Sequence, residues 1–528
     1  MTAPTAFSPS PLRHARPVKL CVDVSSTIEF KPPHFPHVAA PATLHYYGHQ
    51  PLSLRFKRAM KNKIILFELN EVPYRVIDAF VGWRPDSTLA RILPFCRQHE
   101  TYSEDVSSLS PWKTWPTLHR GVIDAKHFIH DFGQDLSAVD TEFPPIWKLL
   151  TRSGIRTGVC GSLHTYPMPD DVEGYAFFLP DTFAAGAECF PETLSSFQEF
   201  NLQMARESAR NVSRRLPWSA TLRFLAAAPG LGLKMRTVSD LGHQLISERL
   251  AEWKKTRRRT YQSVLAFDVF MKQLATQRPD FCTFFTNHVA SSMHRYWAAT
   301  FPEDYDSFGF DEKWVHTYRN EIDFTMSKFD EFLTRLVAFV DANTEYRLWV
   351  ATSMGQEATV ALPLETQLYC TKLDRLMAVL GVPEGMWRQM PAMLPQYNVF
   401  VEGPQRDAFK VGLADLMIDD KPLSWREAKE GFFSIDLGQV NSYLRDISPR
   451  FRGQAFSKQE LGLEDVKIDD RSGTSAYHIP QGALLIYDPT DRARKAGRAA
   501  ISTTEIAPTI LRHFSVPVPS YMSPAFME

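Results

Sequence analysis

A threonine set among aromatic residues is the first chemically suggestive feature of this chain. In the stretch PWKTWPTLHRG, the hydroxyl of Thr114 is flanked by Trp112, Trp115 and Pro116. A threonine hydroxyl becomes a nucleophile only where neighbouring groups activate it. A single threonine of this kind is more often a loop residue on an aromatic surface, so the surrounding elements have to decide its role.

Polar residues also follow the first clear strand pattern. The apolar run IILFEL is typical of a short buried strand, and it ends at Asn70 and Glu71. The segment IWKLLTRSGIRTGVCGS, from Ile146, predicts a helix, a turn and a strand, and FCTFFTNHV, from Phe281, and RLWVATSMG, from Arg347, predict two more strands. Strands that alternate with helices predict an α/β fold with a doubly wound, mostly parallel sheet sandwiched by helices, and its site lies beyond the carboxyl ends of the strands.

Composition limits the partners and the location. The 59 basic and 60 acidic residues leave a formal net charge of -1, so no global field draws the chain to nucleic acid or to an anionic membrane, although local patches remain open. The six cysteines form no CxxC pair, which argues against a zinc ribbon and suits a reducing compartment. No apolar run is long enough for a membrane span and no signal-peptide pattern is present, so we predict a cytoplasmic protein.

The chain divides into a leader, a main domain and two insertions. Residues 1–59 are rich in Pro, His and Ser, which predicts a flexible extension, unless translation starts at Met60. Residues 60–528 form the predicted α/β domain, interrupted by a helical cap at 190–277 and a mixed insertion at 362–474. The KKTRRR run in the cap could meet a polyanionic substrate, although a solvated helix face is the commoner outcome for such a run.

The order of these motifs resembles the alkaline phosphatase superfamily, specifically its type I phosphodiesterase/nucleotide pyrophosphatase branch, over residues 63–522 outside the insertions. KTWP resembles the nucleophile turn of that branch, and EIAPTILRHFSVPVPSYM resembles its closing helix and turn. The resemblance implies that Thr114 attacks phosphorus at the start of a helix whose N–H groups hold the phosphoryl oxygens. It also places Thr117 where the branch often has an asparagine that contacts a phosphoryl oxygen.

The metal ligands of this family are only partly present. Members hold two divalent ions, usually zinc, on carboxylates and histidines. Asn70 stands where the first aspartate is expected, Ala290 replaces a second aspartate, and Ser353 and Met354 replace an Asp-His pair. Neutral Asn, Ser and Met are poor ligands for such cations, so an ordinary di-zinc site is not expected.

Two family ligand positions are kept, at His294 and His478. We predict that they hold one divalent metal, zinc or manganese, with help from nearby side chains. The candidates for that help are His288, Glu68, Glu71 and Glu357. Alternatively, the basic side chains of Lys113 and Arg295 replace the ions.

Three interpretations follow. The first is an enzyme, a phosphoric-ester hydrolase or transferase acting on a phosphodiester, pyrophosphate or phosphonate, with Thr114, Lys113, Thr117 and Asn70 as catalytic residues and with Ser353 and Arg295 binding the substrate. The second is an inactive relative that binds a phosphorylated small molecule, a glycan or a protein partner. The third treats the histidines as hydrogen-bonded core residues. In the first two, the side chains at the strand ends converge at the carboxyl edge of the sheet.

Overall fold

The structure of the protein is a computed structural model that describes residues 62–207, 218–438, 441 and 447–526. The predicted leader, residues 1–59, lies outside the described residues. Among the helices that the structure describes, none has the length and apolar character needed to cross a membrane.

Helices occur along the whole described chain. They are α1 (Tyr74–Trp83), α2 (Thr88–Ile92), α3 (Pro111–Arg120), α4 (Asp124–His127), α5 (Ser137–Glu142), α6 (Ile146–Arg152), α7 (Ser195–Glu207), α8 (Trp218–Leu231), α9 (Met235–Leu250), α10 (Arg258–Gln277), α11 (His288–Thr300), α12 (Glu312–Tyr318), α13 (Glu321–Ala342), α14 (Leu373–Val379), α15 (Gly403–Asp415) and α16 (Ile506–His513).

The strands alternate with these helices in the first part of the chain and cluster in the second. They are β1 (Lys63–Leu69), β2 (Arg97–Tyr102), β3 (Thr157–Cys160), β4 (Phe177–Leu179), β5 (Phe281–Thr286), β6 (Tyr346–Ala351), β7 (Gly355–Ala358), β8 (Thr366–Cys370), β9 (Trp387–Met390), β10 (Gln396–Val401), β11 (Leu416–Ile418), β12 (Lys421–Pro422), β13 (Ser424–Lys429), β14 (Phe432–Asp436), β15 (Arg450–Phe451), β16 (Gln454–Ala455), β17 (Leu463–Lys467), β18 (Ala476–Ile479), β19 (Gln481–Tyr487) and β20 (Arg498–Ser502).

The central sheet has eight strands in the order β20-β2-β19-β6-β1-β5-β3-β4. Strand β1 pairs in parallel with β5 and β6, and β19 is antiparallel to both of its neighbours, β6 and β2. The other pairs of this sheet are parallel. Since β19 runs opposite to the rest, it begins at the edge where β1, β5 and β6 end, so residues just before β19 are brought to the carboxyl edge.

Both faces of the central sheet are covered. In β1, Ile65 and Phe67 face one hydrophobic core, to which α1, α10, α11 and α13 contribute, whereas Ile64 and Leu66 face another, to which α3, α6 and α16 contribute. This period of two is what a strand buried on both sides requires. The predicted doubly wound, mostly parallel sheet sandwiched by helices is therefore confirmed.

The two stretches predicted as insertions differ in content. Residues 190–277 contain α7 to α10, with no strand among the described residues of that range. Residues 362–474 contain two small four-stranded sheets and a separate hydrophobic core that runs from Leu368 to Leu463. The assignment of either stretch as an insertion stays a prediction.

Glycine is required where β7 passes β19. A Cβ atom on Gly355 would overlap the Gln481 carbonyl oxygen and touch Pro73, just after the Asn70-Glu71 turn. We expect Gly355→Ala to reduce the free energy of unfolding by about 1–3 kcal/mol, because the backbone has to move. The melting temperature should fall accordingly. Gly82→Ala is the matched control, since a Cβ atom there meets nothing within 4 Å. Equal melting temperatures for the two variants would contradict this packing.

Candidate metal centre and nucleophile turn

Three ligand-capable side chains meet beyond the carboxyl edge of the sheet. Glu71, His294 and His478 each offer one ligand atom, and these atoms lie within 4.8 Å of one another. Glu71 Oε2 is 2.9 Å from His294 Nε2 and 3.5 Å from His478 Nε2. The chain thus brings together a residue that follows β1, one from α11 and one from β18. Among the four predicted helpers, the structure places Glu71 in this cluster.

The other ring nitrogen of each histidine is fixed by the backbone. His294 Nδ1 lies 2.8 Å from the Ala476 carbonyl oxygen, and His478 Nδ1 lies 2.8 Å from the Leu109 carbonyl oxygen. A carbonyl oxygen only accepts, so both Nδ1 atoms carry hydrogen and donate. Both Nε2 atoms are therefore presented to the carboxylate. Metal-binding histidines are commonly oriented in this way.

A carboxylate that faces two imidazole nitrogens requires positive charge between them. Burial disfavours the charged form of Glu71, but His478 and then His294 lower its pKa well below the usual range. Burial likewise opposes charge on His478, but Glu71 raises the pKa of that imidazole. Protons or one divalent cation can supply the charge, and two imidazoles with one carboxylate are a donor set that suits zinc and related cations. The residues present therefore fit one divalent cation.

The Glu71 carboxylate is held by hydrogen bonds from two side-chain amides, one of which is itself fixed by an indole N–H. Glu71 has a φ of 60°, a left-handed conformation that is uncommon for a residue with a side chain. Asn70 Nδ2 donates to Glu71 Oε1 at 2.8 Å, and Trp115 Nε1 donates to Asn70 Oδ1 at 2.8 Å. Gln356 Nε2 donates to Glu71 Oε2. Asn70 therefore orients the carboxylate in this structure.

Thr114 lies in α3, five residues after Leu109, whose carbonyl oxygen contacts His478. Its Oγ1 is 2.7 Å from Ser353 Oγ and 3.3 Å from the Ser110 carbonyl oxygen. Both Thr114 and Ser353 are fully buried. The carbonyl of Leu109, which precedes this turn, is the one that holds His478. The backbone from Leu109 to Thr114 thus links His478 to Thr114, and the Thr114 hydroxyl in turn contacts Ser353.

The proline of the KTWP motif has a local consequence. Pro116 lies inside α3 and has no N–H, so the Trp112 carbonyl loses its helical partner. His164 Nε2 lies 2.7 Å from that carbonyl oxygen and takes the place of the missing donor. The KTWP turn is thereby joined to the loop after β3.

The two cations that were predicted to replace metal are engaged elsewhere. Lys113 Nζ donates to the Ser108 carbonyl and hydroxyl oxygens at 2.9 and 3.1 Å. Burial and then Arg426 lower the pKa of Lys113. Arg295 Nη1 forms a 2.8 Å ion pair with Asp470.

Thr117, for which the resemblance implies a contact with a phosphoryl oxygen, has protein partners in this structure. Its hydroxyl donates to Asp105 Oδ1 at 2.6 Å and lies 3.0 Å from His127 Nε2. These contacts join α3 to the loop before it and to α4. The Thr117 hydroxyl is therefore hydrogen-bonded within the protein.

The remaining predicted helpers lie outside the cluster. His288 is buried, with Nδ1 2.6 Å from Thr286 Oγ1 and Nε2 3.2 Å from the Thr325 carbonyl oxygen. Burial lowers its pKa to about 3, so this imidazole is a neutral core residue. Glu68 Oε1 pairs with His119 Nε2 at 2.8 Å, and Glu357 is exposed on β7.

The other positions at which the resemblance implies metal ligands hold neutral side chains here. The side-chain amide of Asn70 contacts Glu71 and Asn287, Ser353 contacts Thr114, and Met354 is buried. This neutral set does not fit a second divalent cation.

Sequence reasoning missed three residues that shape the centre. Gln356 faces His478 across the β7–β18 pair, Trp115 fixes Asn70, and Asn287 accepts from Asn70 Nδ2 at 2.7 Å. Asn287 stands in the quoted FCTFFTNHV motif, directly after β5, so its place at a strand end was a usable signal. Gln356 and Trp115 act through side-chain direction, which the sequence pattern does not give.

Comparisons with known proteins give a remote likeness only. No protein-family description matches the sequence, and no curated protein matches it. Among solved structures, murine ectonucleotide pyrophosphatase/phosphodiesterase 5 is 10% identical over 88% of this chain and 97% of its own, with a TM-score of 0.37. Its inactive form in complex with AMP is 10% identical over 89% and 98%, at 0.36. The human protein is 8% identical over 87% and 96%, also at 0.36. A likeness at this level carries no argument about activity.

The Trp115–Asn70–Glu71 contacts predict a metal-affinity effect. Trp115→Phe keeps an aromatic ring but removes the N–H that fixes Asn70, so we expect the affinity for zinc, titrated against a chromophoric chelator, to fall by about ten-fold or more. Trp349→Phe is the matched control, because the equally buried Trp349 Nε1 has no hydrogen-bond partner. The same affinity in both variants would show that the indole does not orient the centre.

Proposed function

We propose that this protein holds one divalent cation on Glu71, His294 and His478 and acts on a phosphorylated substrate with Thr114 as nucleophile. The observation that carries the proposal is the convergence of these three ligand atoms within 4.8 Å, beside the segment that carries Thr114. The motif resemblance supports a phosphodiester, pyrophosphate or phosphonate as substrate. The product phosphoryl group passes to water or to another acceptor.

The residues of the chain divide the work of this reaction. Thr114 Oγ1 would form the new bond to phosphorus while the bond to the leaving oxygen breaks. Ser353 Oγ, in contact with Thr114, would pass the hydroxyl proton towards the leaving oxygen. The amino end of α3 favours the negatively charged phosphoryl group. The cation, when bound, would stabilise negative charge on the phosphoryl oxygens.

A cavity beside α11 contains three arginine side chains, two of which are paired with acids. It is lined by Arg257, Arg259, Arg295 and Glu321, together with Ser291 and Ser292; Arg257 pairs with Glu321 and Arg295 with Asp470. Ser291, Ser292 and Arg295 belong to the same helix as His294. Burial and then Arg295 lower the pKa of Arg259 to about 9, so nearby negative charge would stabilise this guanidinium.

A second candidate function is binding without turnover. It is favoured by the full burial of Thr114, whose recorded partners are Ser353 and the Ser110 carbonyl, neither of which is a strong base. In this version the centre binds a phosphorylated ligand, a glycan or a protein partner. Turnover separates the two candidates.

Metal content tests the proposed centre. We expect about one divalent ion per chain in the purified wild type, and at least a ten-fold lower content in Glu71→Gln and in His478→Ala, because each substitution removes one of three ligands. Mass spectrometry of the metal in the protein peak measures this. His316→Ala, which changes an exposed histidine, is the control and should keep the wild-type content. Full metal content in Glu71→Gln would refute the ligand assignment.

Substitution of one hydroxyl tests the nucleophile. With bis(p-nitrophenyl) phosphate and added zinc or manganese, Thr114→Ala should lose at least about a thousand-fold in kcat/KM, whereas Thr114→Ser should keep part of the activity. Circular dichroism checks that both variants fold. A wild type that binds phosphate but turns over nothing with either metal, and a Thr114→Ala variant of equal phosphate affinity, would favour the binding function.

A further inference from the structure

The exposed face of α9 is apolar. Five large hydrophobic side chains of this helix are exposed to solvent, and they recur at helical spacing along one side. They are Met235, Val238, Leu245, Ile246 and Leu250. We call this set the apolar face of α9. Met235 is 80% exposed and Leu250 is 85% exposed, so the two ends of the face are almost fully open.

The buried side of the same helix is polar. Thr237, Gln244 and Glu248 are buried, and Glu248 forms an ion pair with Arg258. Asp240 accepts from Tyr261 at 3.1 Å and forms a 2.6 Å ion pair with Lys328. A surface helix of a globular protein normally buries its apolar side and exposes its polar side. Helix α9 does the reverse, and specific polar contacts hold it in that orientation.

The preceding helix in the chain also has exposed apolar side chains. Leu222 and Leu225 of α8 are 63% and 56% exposed. With the apolar face of α9, they make seven of the seventeen exposed large hydrophobic side chains among the described residues, within 29 positions. Singly scattered exposed hydrophobic residues are the ordinary case, whereas five on one side of a single helix are typical of an interaction surface.

Exposed charge on α9 itself and at its amino end is positive, and the exposed Glu252 that follows the helix is paired with Lys255. Lys234 precedes α9 and is exposed, as are Arg236 and Arg249 within the helix. The two acids of α9 in the described structure, Asp240 and Glu248, both point to cationic partners in the body of the protein. The local field is therefore positive although the whole chain is nearly neutral.

We propose that α9 lies on the surface of a membrane that contains anionic lipids. The apolar face of α9 enters the boundary between headgroups and acyl chains, and Lys234, Arg236 and Arg249 contact the lipid phosphates and carboxylates. A second copy of the chain fits less well, since the same face would bring like charges together. This attachment is interfacial and independent of the metal centre.

Vesicle sedimentation tests the proposal with the full chain. Large vesicles of phosphatidylcholine alone are compared with vesicles in which about one third of the lipid is phosphatidylserine. We expect the protein to sediment with the anionic vesicles at least about ten-fold better than with the neutral ones, and to be released by salt. Equal partition into both, or no sedimentation with either, would overturn the proposal.

Two double variants distinguish binding through the apolar face of α9 from non-specific hydrophobic adsorption. Ile246→Ser with Leu250→Ser should weaken partition into anionic vesicles by at least about ten-fold, because two aliphatic side chains no longer enter the lipid. Val360→Ser with Leu362→Ser removes two exposed hydrophobic side chains elsewhere, 76% and 61% exposed, and should bind as the wild type does. Equal binding by all three proteins would overturn the role of α9.

A third double variant tests the contribution of the cationic side chains of α9. Arg236→Gln with Arg249→Gln should lose about ten-fold in partition into anionic vesicles and nothing measurable with neutral ones. Light scattering of the wild type and of the Ile246/Leu250 variant measures whether the apolar face of α9 mediates dimerisation. A wild-type dimer that the variant dissociates would assign the face to a second copy and overturn the membrane proposal.

Discussion

The contact between one buried carboxylate and two imidazoles is the constraint on which the rest of the site depends. Glu71 cannot be buried as an anion without positive charge next to it, since an uncompensated buried charge is strongly destabilising. His294 and His478 face it through Nε2 because backbone carbonyls hold their Nδ1 atoms. A cation between the three side chains satisfies all of them at once.

The fold supplies this arrangement through three unrelated parts of the chain. The turn after β1 carries Glu71, α11 carries His294, and β18 delivers His478 because the antiparallel β19 begins at the carboxyl edge. Ala290 stands where the resemblance implies an aspartate, and its carbonyl accepts from Gln356, which also holds Glu71. The carboxylate of the centre thus comes from the β1 turn instead of from α11.

Part of this could be predicted from the sequence, because strand ends are visible as apolar runs that stop at polar residues. That signal predicted the parallel sheet and the polar pair Asn70-Glu71 at a strand end. Thr114, Ser353, His294 and His478 came into consideration through the motif resemblance. It could not choose between Glu68, Glu71 and Glu357. The choice depends on a left-handed φ at residue 71, and Glu68 lies inside β1 and pairs with His119. Backbone conformation at this turn therefore places Glu71, and neither of the other two acids, beside the two histidines.

The orientation of α9 was equally hidden from the sequence. Periodicity predicts that residues 190–277 form helices, but it assigns the apolar side to the core. The structure turns that side outward, because Asp240 and Glu248 find Lys328 and Arg258 in the protein body. These ion pairs, to α10 and to α13, accompany the outward orientation of the apolar side. A pattern within one helix contains no information about such partners.

X-ray absorption spectroscopy of the zinc-loaded protein tests the central claim most directly. A zinc ion on Glu71, His294 and His478 predicts a first shell of nitrogen and oxygen alone, about 2.0–2.1 Å from the metal, with the outer-shell scattering of two imidazoles. That imidazole scattering should fall by half in His294→Ala. A shell that contains sulfur, or a spectrum that is unchanged by His294→Ala, would contradict the proposed centre.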